Sequence, residues 1–219
     1  IGSLTLPIAI LPSLAKVQQT QPELITLPFA LLVTLSMLQP IILLAIAVGL
    51  GCLLAPRVGL VSLLSEKMTH RMPVWPRLRR AALLATGLGL CLAGLITLLD
   101  RLFLPFLGPE FQSLATAESN PYLQLMLGLL YGGITEELLL RWGLMSLFVW
   151  IGCRLARQPA KGCQPPPWMV WSAIGLAAFL FGAGHLPALA AVVTLTAPVI
   201  LRTILLNAIG GFVFGWLFW

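Results

Sequence analysis

The chain of 219 residues is 59% apolar and only 9% charged, with a mean hydropathy of +0.98. A soluble fold of this size exposes too much area to hide that much apolar surface and needs charge to cover it, so a soluble enzyme, a disordered regulator and a secreted disulfide scaffold are excluded. The net charge of +6, from 13 Lys and Arg against 7 Asp and Glu, falls in loops beside apolar runs and so reports membrane topology rather than nucleic-acid binding.

A bilayer crossing takes about 20 apolar residues, and backbone groups in lipid must be satisfied internally, which makes the crossings helices. In chain order, Ile1–Leu14 reads as the tail of a first span, interrupted by Pro7 and Pro12, and Thr26–Leu54 as a long span with Pro40 as a kink. Val58–Met68 reads either as a short surface helix or as a loop. Ala81–Leu99 is a span without any charge. Tyr122–Leu155 is apolar but too long for one crossing and carries three charges in its middle, and Trp168–Leu186 and Val199–Trp219 complete the set. The expected fold is all-α, a polytopic transmembrane helix bundle with about 5–6 spans present. Residues 1–121 form the N-terminal helices and loops, and residues 122–219 a C-terminal core. The chain opens on Ile1 and stops at Trp219 inside an apolar run, so it reads as truncated at both ends.

The loops orient the bundle. Arg57 to Arg80 holds six Lys and Arg against one acid, and Arg154 to Pro167 holds Arg154, Arg157 and Lys161 with no acid. Both read as cytoplasmic, whereas Asp100 to Pro121, with three acids against Arg101, reads as external. Trp168, Trp171, Trp216 and Trp219 fall near the inner ends as an aromatic belt. Cys52 and Cys91 lie in apolar runs, Cys153 and Cys163 flank a basic loop, and none has metal-ligand spacing. All four read as free small hydrophobes.

Glu136, Glu137 and Arg141 stand together inside an apolar segment. A charge at mid-membrane costs about 2.5–3.5 kcal/mol on insertion scales, so three within six residues must face protein or a water-filled cavity. Glu137 and Arg141 have the i,i+4 spacing of a structural ion pair, which leaves Glu136 without a helical partner. At α-helical spacing Gly128, Gly132 and Glu136 share one stripe, where glycines admit a close neighbouring helix. A carboxylate so placed suits a general base. His185 lies 17 residues after Trp168, and Glu136 lies 19 before Leu155. On antiparallel neighbouring helices these counts put the two within about 3 Å of one level, which reads as one site. Thr203, Asn207, Gly211 and Gly215 step by four along the last span and read first as interhelical glue, with a lining role for Asn207 second. Arg202 is expected to snorkel to the outer interface.

Glu136-Glu137-Leu138-Leu139-Leu140-Arg141 matches the EExxxR motif, and Phe181-Gly182-Ala183-Gly184-His185 the FxxxH motif, of the CPBP family of intramembrane glutamic endopeptidases. These include type II CAAX prenyl endopeptidases and bacterial Abi-type relatives linked to bacteriocin processing. The resemblance covers roughly residues 120–219 and makes 122–219 a CPBP-like core. It implies an endopeptidase in which Glu136 activates water, His185 helps position it, and Glu137 and Arg141 hold the site. Phe181 and Asn207 are the candidates for contacting substrate. The resemblance implies no cofactor. Zinc is the alternative, disfavoured because there is no HExxH and adjacent glutamates point about 100° apart on a helix. The implied partners are membrane lipids and a peptide or protein substrate, lipidated if it is of CAAX type, and not nucleic acid. The implied location is a bacterial plasma membrane. The family's third motif, HxxxN or HxxxD, has no counterpart after His185, and Leu140-Arg141-Trp142 stands where relatives often read Phe-Arg-Gly. These 219 residues alone are therefore expected to have little or no activity. From other classes, a non-catalytic scaffold or a proton-coupled carrier would use the Glu–Arg pair structurally.

Overall fold

The computed structural model describes residues 28–60, 75–116, 120–159 and 162–219, and every regular element among them is helical. Helix α1 is Phe29–Leu54 and runs through Pro40 into a tight 3₁₀ turn, Ala55–Val58. Helix α2 is Trp75–Phe103, and the short α3 is Pro109–Thr116. Helix α4 is Pro121–Leu155, α5 Pro167–Gly184, the single turn α6 Leu186–Ala190, and α7 Ala197–Phe218. Among the described residues five helices are long and apolar enough to cross a membrane. The expected spans at Ala81–Leu99, Trp168–Leu186 and Val199–Trp219 are thus helices. The Ile1–Leu14 span and most of Val58–Met68 lie outside the described residues.

Two expectations are corrected. The segment judged too long for one crossing is a single helix of 35 residues. It accommodates its length by winding with i→i+5 hydrogen bonds over Leu127–Glu136 and Leu138–Met145, because π turns gather more residues into each turn. The second correction concerns the cysteines. Cys153 and Cys163 form a disulfide, while Cys52 and Cys91 are free and exposed. Ten residues separate the bridged pair, and left-handed backbone at Arg157 (φ 55°) and Gly162 (φ 73°) folds the intervening loop back on itself. An oxidised pair is rare in a reducing cytoplasm, so the bridge argues against the sidedness that charge alone assigns to this end.

The chain divides into two compact units, Ile1–Cys52 with Glu118–Leu144, and Leu53–Ala117 with Met145–Trp219. Within the first, α1 and α4 meet through small residues. A Cβ on Gly143 would lie 2.6 Å from the Cβ of Ala47 and 2.8 Å from its Cα, and the Trp142 indole lies flush on Gly51. Close approach of this kind substitutes for hydrophobic driving force where the surroundings are as apolar as the helices.

In the second unit α5 and α7 pack antiparallel along a seam of glycines. Gly182 faces the backbone of Ile204, Gly211 faces Ala178, and Gly215 faces Ile174. At one end of the pair Trp171 stacks on Phe212 with ring centroids 5.3 Å apart and meets Trp219 edge-on at 5.7 Å. The disulfide lies at this end, and the Cys163 amide donates to the Arg57 carbonyl at 3.1 Å. At the other end Leu107, Phe111, Val193 and Val199 form a small buried core. Arg202 does not simply snorkel. Its Nε donates to Asp100 at 2.7 Å, and its guanidinium lies 4.8 Å above the Phe111 ring, because α2 ends level with the start of α7 and delivers a carboxylate there. The nearby Glu110 accepts from the Thr194 amide at 2.8 Å.

Candidate functional site

The first cluster is built on the π-wound part of α4, in the first unit. Three glycines, Gly128, Gly132 and Gly133, lie in its first stretch, and π winding recurs at functional positions in helices. Glu136 closes that stretch, and Glu137 joins it to the second. Glu137 Oε1 accepts from Arg141 Nη1 at 3.2 Å, with the Arg141 side chain 5% exposed and that of Glu137 36% exposed. The i,i+4 pair read from the spacing is therefore present, with its cation the deeper member. A buried guanidinium without a counter-charge is strongly unfavourable, so one of the two glutamates is committed to charge balance.

Glu136 is half-buried beside the fully buried Thr135. Its Oε2 lies 3.5 Å from where a Cβ on Gly132 would stand, so the carboxylate turns back along its own helix over Gly132. This revises the role given to the glycine stripe. Among the described residues a Cβ on Gly128 would meet nothing, and one on Gly132 would meet only Glu136. Gly132 makes room for a carboxylate, and among the described residues close helix contacts in this unit occur at Gly143 and Gly51. Residue spacing missed Gly143 and Gly51, although Ala47 and Gly51 already show the small-xxx-small step.

The second cluster belongs to the second unit. His185 caps α5 where Leu186 and Pro187 start a new turn. Its Nδ1 lies 2.8 Å from the Phe181 carbonyl. A carbonyl oxygen only accepts, so Nδ1 is the protonated nitrogen and Nε2 carries the lone pair of the neutral ring. The Phe181 ring meets the imidazole edge-on with centroids 4.7 Å apart and also reaches towards Gly211 on α7, 3.6 Å from a Cβ there. Phe181 therefore orients the histidine twice, by its carbonyl and by its ring. Asn207 donates from Nδ2 to the Thr203 carbonyl of its own helix at 2.8 Å. In the register set by the glycine seam it falls level with Phe181, about 6 Å along the axis from His185. Thr203 is buried, and Gly211 and Gly215 touch α5, so this stripe is interhelical packing, as its composition indicates. Among the described residues no group of three or more His, Cys, Asp and Glu is placed to hold a metal ion.

These features define an integral, multi-pass membrane protein that keeps a Glu–Glu–Arg constellation and an oriented histidine on apolar helices. Residues 118–219, just under half of the chain, match the family model described as Type II CAAX prenyl endopeptidase Rce1-like. The match contains both EExxxR and FxxxH, so the C-terminal segment is similar to a family of membrane proteases that act on peptide or protein substrates. No curated protein and no solved structure matches the chain.

Proposed function

We propose that the protein is a glutamate-dependent intramembrane endopeptidase of the CAAX-processing kind. The observation that carries this reading is a half-buried carboxylate, Glu136, that turns back over Gly132 directly beside the Glu137–Arg141 pair and its buried cation. Glu136 is the general base that takes a proton from water, whose oxygen attacks the scissile carbonyl carbon. The proton then passes to the departing amine. His185, whose Nδ1 is engaged by the Phe181 carbonyl, is the residue to which the motif resemblance gives the role of positioning the water. Glu137 and Arg141 position the helix and touch no substrate. No metal is needed in this scheme; cleavage should persist in the presence of a chelator, and loss of activity on chelation with rescue by zinc would overturn that part of it. The substrate is a peptide or protein at the membrane, prenylated where it is of CAAX type.

The test is cleavage of a prenylated CAAX peptide by proteoliposomes carrying the full-length protein, as wild type or Glu136→Gln. Loss of one general base lowers the rate about 10²–10⁴-fold. Cleavage retained by Glu136→Gln overturns the assignment. Absence of cleavage by wild type as well favours a scaffold in which the Glu137–Arg141 pair is structural.

A further inference from the structure

The basic end of α2 carries a cleft of about 590 Å³ lined by Trp75, Pro76, Arg79 and Arg80. We propose that this cleft binds the phosphate headgroup of an anionic phospholipid, whose acyl chains lie along α2. Three observations support that occupant. First, Arg79 and Arg80 are exposed and have no carboxylate partner among the described residues, and both line the one cleft. Second, the depth is that of a headgroup. From Arg80 to Asp100 is 20 residues, or about 30 Å of helix, which matches the hydrocarbon thickness of a bilayer. Asp100 is held at the far end by Arg202, and Leu92 of α2 faces Gly210 of α7. This antiparallel register places Arg79 and Arg80 about one turn beyond the ring of Trp171 and Trp219. Third, the surface continuing from the cleft is apolar and bare, with Leu83 75% exposed and Leu90 72% exposed. A free anion would use the cations and leave that surface unused, whereas a phospholipid uses both. Trp75 also lines the cleft, and an indole is at home beside headgroups.

The experiment titrates a short-chain phosphatidylglycerol into the full chain in neutral micelles and reads bound lipid by native mass spectrometry. Saturable binding is expected. Each arginine near an anionic surface contributes about fivefold, so Arg79→Gln with Arg80→Gln weakens binding about 30-fold. Arg154→Gln with Arg157→Gln, which removes as much charge at the same end of the unit, leaves binding unchanged, and inorganic phosphate does not displace the lipid. The far-ultraviolet dichroism of both variants matches wild type, because all four side chains are exposed. An equal loss in the Arg154 and Arg157 variant overturns the proposal, because the attraction is then diffuse. Displacement by inorganic phosphate overturns it in favour of a free-anion site, and binding that never saturates overturns it as mere partitioning.

Discussion

Gly182 and Gly184 both lie in the short run that ends at His185, yet replacement by alanine should separate them sharply. A Cβ on Gly182 would stand 2.6 Å from the Ile204 carbonyl oxygen and 2.8 Å from its Cα, whereas one on Gly184 would meet nothing within 4 Å. Carbon contacts settle at about 3.5–4.0 Å, so Gly182→Ala forces α7 away from α5 by roughly 0.7–1 Å. The obstacle is backbone, which cannot turn aside as a side chain would. Overpacking of this kind costs about 1–3 kcal/mol. Both variants gain the helix propensity of alanine, at most about 1 kcal/mol, so the difference between them isolates the clash. The retreat of α7 also loosens Gly211 against Ala178 and Gly215 against Ile174, and it withdraws the surface on which Phe181 rests. Thermal unfolding in bicelles, followed by near-ultraviolet dichroism, should place Gly182→Ala clearly below wild type and Gly184→Ala at or slightly above it. Equal midpoints, or a lower one for Gly184→Ala, would refute the close α5–α7 seam.

Two further outcomes follow from the loops. The Cys153–Cys163 bridge closes a loop whose ends are ten residues apart; chain entropy assigns it about 2.7 kcal/mol, so Cys153→Ser with Cys163→Ser should unfold at lower denaturant. Thiol titration in sealed cells should find the pair oxidised, and two reduced thiols would assign this end to the cytoplasm as the basic residues imply. The Thr194 amide holds the Glu110 carboxyl below its ordinary range. The resulting stability is full above the unfolded value of about 4.3 and fades as pH falls through the lower folded value. Wild type should therefore outlast Glu110→Gln at pH 7 and lose that advantage in acid; an advantage unchanged by acid would rule out the ionised contact.

Helices, spans and both motifs are legible along the chain because each is a local property. Nineteen uncharged residues at 81–99 are about 28 Å of helix whatever surrounds them, and an Arg141 inside an apolar run needs a counter-charge within reach of its own helix. Spacing failed where winding or a distant partner intervened. The α-helical period placed Gly128 and Gly132 against a neighbouring helix, but α4 is π-wound there, and among the described residues Gly132 faces only Glu136 and Gly128 faces nothing. Arg202 looked like a lone interfacial cation because Asp100, its partner, lies 102 positions away. The four cysteines gave no pairing signal because closure of the 153–163 loop depends on left-handed turns at Arg157 and Gly162.

By itself the sequence determined that this is an all-helical membrane protein, and it marked Glu136, Glu137, Arg141 and His185 as the candidates for chemistry. Burying charge in lipid is so unfavourable that the few exceptions stand out without any structure. Only the tertiary structure decided how those side chains are placed. It paired Glu137 with Arg141, turned the Glu136 carboxylate over Gly132, and set the His185 Nδ1 against the Phe181 carbonyl. A hydrogen bond depends on angles and distances of tenths of an ångström, which the winding of α4 and the end of α5 set and which residue order does not.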